Sequence, residues 1–202
     1  MYDTAGALTD RIQKGEATDV AIVTGAQIDS LQRQGKVIPG SRHDVAKVGI
    51  GAYVRKGTAK PDLSSIDSLR RTLLAAKSIA YADPAGGAAT GVYFAILLDR
   101  LGIASEMKSK STLYRDFASD GPVYTDVANG KVEMGFLPIS EIIAAGLVEY
   151  AGPLPPDAQS YLLYSAGIAT SSRQPEPAEA FVVTSASARA SLQSMGYEIS
   201  YQ

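Results

Sequence analysis

The chain has 202 residues, 46% of them hydrophobic and 20% charged, with a formal net charge of −2 and no cysteine. That length supports one large or two small domains. The balanced charge, with no long run of either sign, argues against a nucleic-acid partner, which demands a basic patch, and the lack of cysteine excludes disulfides, thiol catalysis and cysteine-ligated zinc.

No apolar run reaches about 18 residues, so no membrane insertion is expected, and since Met1-Tyr2-Asp3 leads into folded-type sequence no signal peptide is expected within these residues. Residues 4–14 read as a helix with Ala7, Leu8 and Ile12 on its apolar side. A buried strand follows over 19–24 and ends at Thr24, then a helix over 26–34 that Gly35 stops. Residues 37–44 are rich in turn formers and contain the single histidine, His43, read as a solvated loop residue beside Arg42 and Asp44.

Residues 48–55 alternate, with Val48, Ile50, Ala52 and Val54 on one face and glycines on the other. Such a strand can carry the chain from one domain into another. A capped helix is predicted over 66–76. Next comes SIAYADPAGGAATGVYFAILLDRLGI, residues 78–103: a strand, an Asp83-Pro84 turn, a Gly/Ala loop and an amphipathic helix starting near Thr90. A strand is expected over 107–111, a helix over 122–129, a strand over 132–137, a helix over 141–145 and a strand over 147–150. Residues 152–157 form a proline-rich loop. A second long strand spans 161–170, and helices over 177–184 and 187–195 finish the chain. Strands alternating with helices indicate α/β layers with largely parallel strands.

The loop before Thr90 lacks the lysine of a Walker motif and the glycine spacing of a dinucleotide fingerprint, so nucleotide binding is not expected. HExxH and GxSxG are absent, and Ser105 to Lys108 fits SxxK without its companion motifs. No nucleophile, metal centre or cofactor is predicted. Four helix starts are instead built from small or hydroxylic residues: Asp3-Thr4-Ala5-Gly6-Ala7, Ala88-Ala89-Thr90-Gly91, Ser119-Asp120-Gly121-Pro122 and Pro138-Ile139-Ser140. Each is ordinary capping by itself. Together, in an α/β chain, they can supply unpaired backbone N–H groups and positive dipole ends to one anion.

In order, TAGALTDRIQKGEATDVAIVTGAQIDSL, VGIGAYVRKG, IAYADPAGGAATGVYFAILLDRLGI, VANGKVEMGFLPISEI and YSAGI resemble the extracytoplasmic solute-binding proteins of the molybdate-binding type, over nearly the whole chain. The resemblance implies a two-lobed periplasmic-binding-protein-like α/β fold with two strand crossings and an interlobe ligand cleft. Lobe one would comprise residues 1–50 plus 168–202, and lobe two residues 51–167. It implies a ligand set of Thr4, Ala5, Gly6, Thr24, Ala89, Thr90, Gly91, Gly121, Pro122, Pro138 and Ser140. It also implies a periplasmic setting and, as partners, a small anion and the membrane subunits of an ABC importer.

Three departures accompany it. The family's opening strand-helix unit, about 30 residues, would precede this chain, leaving lobe one N-terminally incomplete. Thr4 and Ala5 stand where molybdate binders carry serines, and Pro138 stands where they carry a ligand-contacting tyrosine. The expected ligand is therefore a small oxyanion or carboxylate, with a carboxylate preferred over molybdate. The alternative function on the same scaffold is isomerisation of an aconitate-type polycarboxylate, with Asp3, Asp83, Asp120, Glu141 and Tyr93 as candidate acids and bases.

Overall fold

A computed structural model of the chain describes residues 5–86, 88–115, 121–183 and 189–199. The chain divides into two compact units, Met1–Lys47 with Leu162–Gln202, and Val48–Tyr161. Strands β2 (His43–Val54) and β7 (Tyr161–Ile168) carry it across the boundaries.

The first unit holds α1 (Ala5–Gln13), β1 (Val20–Thr24) and α2 (Gly25–Arg33), followed late in the chain by α8 (Pro175–Val183) and α9 (Arg189–Ser194). β1 alternates: Ala21 and Val23 are buried and Ile22 is exposed. Ala21 and Val23 meet Ile28 and Leu31 of α2 and Val37, with Ala5, Leu8 and Ile12 of α1 packed against them. β1 runs antiparallel to β7, Val20 opposite Ile168.

The second unit contains α3 (Ile66–Ala75), β3 (Ile79–Ala82), α4 (Ala89–Arg100), α5 (Ala104–Lys108), β4 (Ser111–Tyr114), α6 (Pro122–Ala128), β5 (Met134–Pro138), α7 (Ile139–Ala145) and β6 (Glu149–Pro153). One face of its strands packs Ile50, Ala52, Val54, Ile79, Tyr81 and Phe136 against apolar residues of α3, α4 and α5. The other packs Tyr53, Ala80 and Leu137 against α6 and α7. Phe94 of α4 stacks on Phe136 at 4.5 Å between centroids and meets Tyr81 at 4.9 Å. The alternation of β2 survives, but its glycine face is covered too. A side chain at Gly49 would meet the Gln159 amide at 3.0 Å, and one at Gly51 the Tyr150 ring at 2.7 Å. Gln159 also bonds both Ile50 N–H (2.7 Å) and Ile50 C=O (3.0 Å), which fixes the strand at this point.

The strands follow the hydrogen-bonded order β1-β7-β2-β5-β3-β4, with β6 also on β2. This corrects one expectation: the strand pairing is mixed rather than largely parallel. β3 lies parallel to β4 and β5, whereas β1 on β7, and β5 and β6 on β2, are antiparallel. The parallel trio is joined through helices, as parallel neighbours require; β2 and β7 meet partners from far along the chain.

Two local assignments also change. Residues 104–108 form a helical turn, not the start of a strand: Ala, Glu, Met and Lys are good helix formers, and the turn seats Met107 fully buried against Ile103 and Leu98. The strand begins only at Ser111. β2 starts at His43, inside the expected loop, and His43 is exposed there. Lys47 bridges Glu198 through two backbone hydrogen bonds of 2.8 Å, a partner from the far end of the chain. Among the described residues no helix is long and apolar enough to cross a membrane.

Candidate functional site

Because β3, β4 and β5 are parallel, their carboxyl ends, at Ala82, Tyr114 and Pro138, lie along one edge of the sheet. In such sheets ligands collect where the following helices begin. Here those helices are α4, α6 and α7. Their N-cap residues are Ala88, Gly121 and Pro138, and none places a side chain on the first-turn N–H groups. α3 differs: its N-cap Ser65 accepts from the Ser68 N–H at 3.1 Å. The edge thus offers backbone donors that α3 satisfies internally.

Seven expected ligand residues fall on this edge. Ala89, Thr90 and Gly91 form the first turn of α4. Gly121 caps α6 and Pro122 opens it. Pro138 ends β5 and caps α7, and Ser140 lies buried in the first turn of α7. Gly91 sits hard against β3, since a Cβ there would lie 2.2 Å from the Ala82 carbonyl oxygen. The other residues of the set are in the first unit. Ala5 and Gly6 open α1, and Thr24 caps α2 while its hydroxyl donates to Gln27 Oε1 at 2.7 Å. Thr4 lies outside the described residues.

The candidate acids and bases separate sharply. Asp3 and Asp120 lie outside the described residues. The Tyr93 hydroxyl donates to the Ala158 carbonyl at 3.0 Å, tying α4 to residues 156–158. Asp83 accepts from Arg115 Nε at 2.6 Å and from the Ala85 N–H at 2.9 Å, and the arginine bond holds its carboxyl below the usual range. Glu141 behaves oppositely. It sits half-buried in the first turn of α7, and burial pushes its carboxyl up to about 7. Its charge also acts on its neighbours: the Tyr124 and Tyr53 phenols are raised, chiefly by burial and further by Glu141. The Tyr53 hydroxyl donates to the Val123 carbonyl at 2.9 Å. Tyr114, at the end of β4, donates a short hydrogen bond to Asp126 of α6, and Lys131 holds the same carboxylate at 3.1 Å.

Arg115 is the residue that sequence reasoning missed. With β4 expected at 107–111, nothing marked residue 115 as following a strand. The one available signal was the arginine itself, the single cation in the three turns that leave these strands.

A sequence profile of the bacterial extracellular solute-binding protein family matches residues 1–198. The chain is 34% identical over 183 residues to an aconitate isomerase from a Pseudomonas species, covering 90% of this chain and 67% of that protein. In structure it is similar to a substrate-binding domain assigned to a molybdenum ABC transporter of Clostridium difficile, with a TM-score of 0.78 and 19% identity over all of this chain and 85% of that one. It is also similar to the periplasmic molybdate-binding protein of Azotobacter vinelandii, with a TM-score of 0.72 and 21% identity over 98% of this chain and 85% of that one. At these identities the structural likenesses speak for the fold.

Proposed function

The chain belongs to the bacterial extracellular solute-binding protein family, and from that premise we propose that it binds a small polycarboxylate and isomerises it, aconitate being the class of substrate. The observation that carries this reading is Glu141, a carboxyl raised to about 7 in the first turn of α7, on the sheet edge that also holds the uncapped starts of α4 and α6. A relative with 34% identity over 90% of the chain bears the name aconitate isomerase, which favours turnover over mere binding.

The chemistry needs one base and a set of hydrogen-bond donors. The Glu141 carboxylate removes a proton from the methylene carbon beside the double bond. The electron pair left behind forms a new double bond at that carbon, and charge spreads onto the attached carboxylate. The proton then returns to the former vinyl carbon. No oxidant or co-reactant is consumed, and the product differs in the geometry of its double bond. A base with a pKa near ambient pH suits this transfer, which contributes typically 10²–10⁴-fold. The first-turn N–H groups of α4, α6 and α7, with the Thr90 and Ser140 hydroxyls, stabilise the developing charge.

A second reading rests on the helix starts and the fold alone: a receptor that delivers an oxyanion or carboxylate unchanged to the membrane subunits of an ABC importer. Incubation with cis- or trans-aconitate followed by proton NMR separates the two. We expect interconversion, with Glu141→Gln losing at least about 10²-fold in kcat while still binding substrate. Tight binding without interconversion by the unmodified protein leaves the receptor reading.

A further inference from the structure

A tricarboxylate brings about three negative charges to an edge where Asp83 and Glu141 already stand. Helix starts supply only partial positive charge, roughly half an elementary charge each. Among the described residues of the three turns that follow β3, β4 and β5, one full cation is present, Arg115. It directly follows β4, and its stem lies over the turn that leads into α4. A Cβ at Gly86 would sit 3.5 Å from Arg115 Cγ. Only its Nε is engaged by the described residues, by Asp83 Oδ2 at 2.6 Å. The side chain remains 70% exposed, whereas that of Asp83 is 17% exposed. A guanidinium fork with exposed terminal donors suits a carboxylate, which it can grip through two bonds. Asp83 is the anchored member of the pair, because its other oxygen accepts the Ala85 N–H.

Building on the polycarboxylate reading, we propose that Arg115 is a specificity-determining residue that binds one substrate carboxylate at the head of α4, and that Asp83 competes with the substrate for it. The pair thereby sets a preference for ligands with several carboxylates, since a substrate must outbid a built-in one.

The test is direct binding of trans-aconitate and citrate by calorimetry, with turnover measured in parallel, for the unmodified protein, Arg115→Gln, Arg115→Lys and Asp83→Asn. Arg115→Gln should weaken binding about tenfold or more, as expected for loss of a charge-assisted pair, and should raise KM with little change in kcat. Arg115→Lys should recover part of that loss. Asp83→Asn keeps the oxygen that accepts the Ala85 N–H and removes the competing charge, so binding should tighten several-fold. An ion pair that merely holds the turn predicts a different pattern: Arg115→Gln and Asp83→Asn shift the melting temperature alike and leave affinity unchanged. That pattern overturns the proposal, as does weakened binding in Asp83→Asn. Tricarboxylate binding that follows these signs without turnover upholds Arg115 and refutes the isomerase reading. Turnover that ignores Arg115→Gln does the reverse. Failure of the unmodified protein to bind either acid overturns both.

Discussion

Glu141 is a carboxyl whose ionisation the folded protein resists. Its carboxyl moves from an ordinary 4.5 to about 7 because burial penalises the charged form. Below the ordinary value both folded and unfolded chains hold the proton, and stability is unaffected. Between the two values the unfolded chain releases it while the folded chain keeps it, so stability falls as pH rises; above about 7 the full penalty is present. Linkage puts that penalty on the order of 3 kcal/mol. Urea unfolding should therefore show a midpoint that declines from pH 5 to pH 8, and Glu141→Gln should flatten the decline. Asp83 and Asp126, held low by bonds from Arg115 and Tyr114, act in the opposite sense and at lower pH, clear of this window. The same resistance that lowers stability at neutral pH would suit Glu141 to the proposed role of base.

At the scale of elements, the turn from β3 into α4 shows how tightly the edge is built. Gly91 lies in a helix, where alanine would ordinarily be favoured by about 1 kcal/mol. Here a Cβ would meet the Ala82 carbonyl oxygen at 2.2 Å, and backbone cannot step aside as a flexible side chain can. Gly91→Ala should destabilise the protein by about 1–3 kcal/mol or more, so the sign of the change in urea midpoint distinguishes packing from propensity. This strand-turn-helix was legible in the sequence because apolar period, Asp83-Pro84 and the glycines all pointed one way. β4 was not, because it is four residues long, exposes Leu113, and owes its existence to parallel pairing with β3. Lys47 near the start of β2 pairs with Glu198, a partner that no local pattern connects to it. The helix starts of the edge could be read from small residues. That Glu141 and Asp83 would titrate in opposite directions could not, because one depends on burial and the other on an arginine whose place follows from β4.

For the whole molecule, a ligand that binds only the folded state adds stability by mass action. At 100 times its dissociation constant the gain is about 2.7 kcal/mol, a rise of several degrees in melting temperature for a chain of this size. We expect that rise with trans-aconitate or citrate, and a smaller one with molybdate, tungstate, sulfate or phosphate at equal concentration. A shift confined to molybdate and tungstate would instead favour the receptor reading with an oxyanion ligand.

The chain visits its second unit as one uninterrupted stretch, Val48–Tyr161, and assembles the first from both its ends. On the ribosome this becomes a matter of time. β1 emerges early, but its partner β7 pairs Ile168 with Val20 only after the whole second unit has been made. At about 5–20 residues per second, β1 waits roughly 7–30 s for that partner. The second unit, rich in contacts within its own span, has no such delay. Long-range pairing of this kind is also slow in a refolding chain. Pulsed hydrogen exchange during refolding should therefore protect the amides of β3 and β5 first, with those of β1 and β7 closing last, so that the first unit is the final part of the protein to exist.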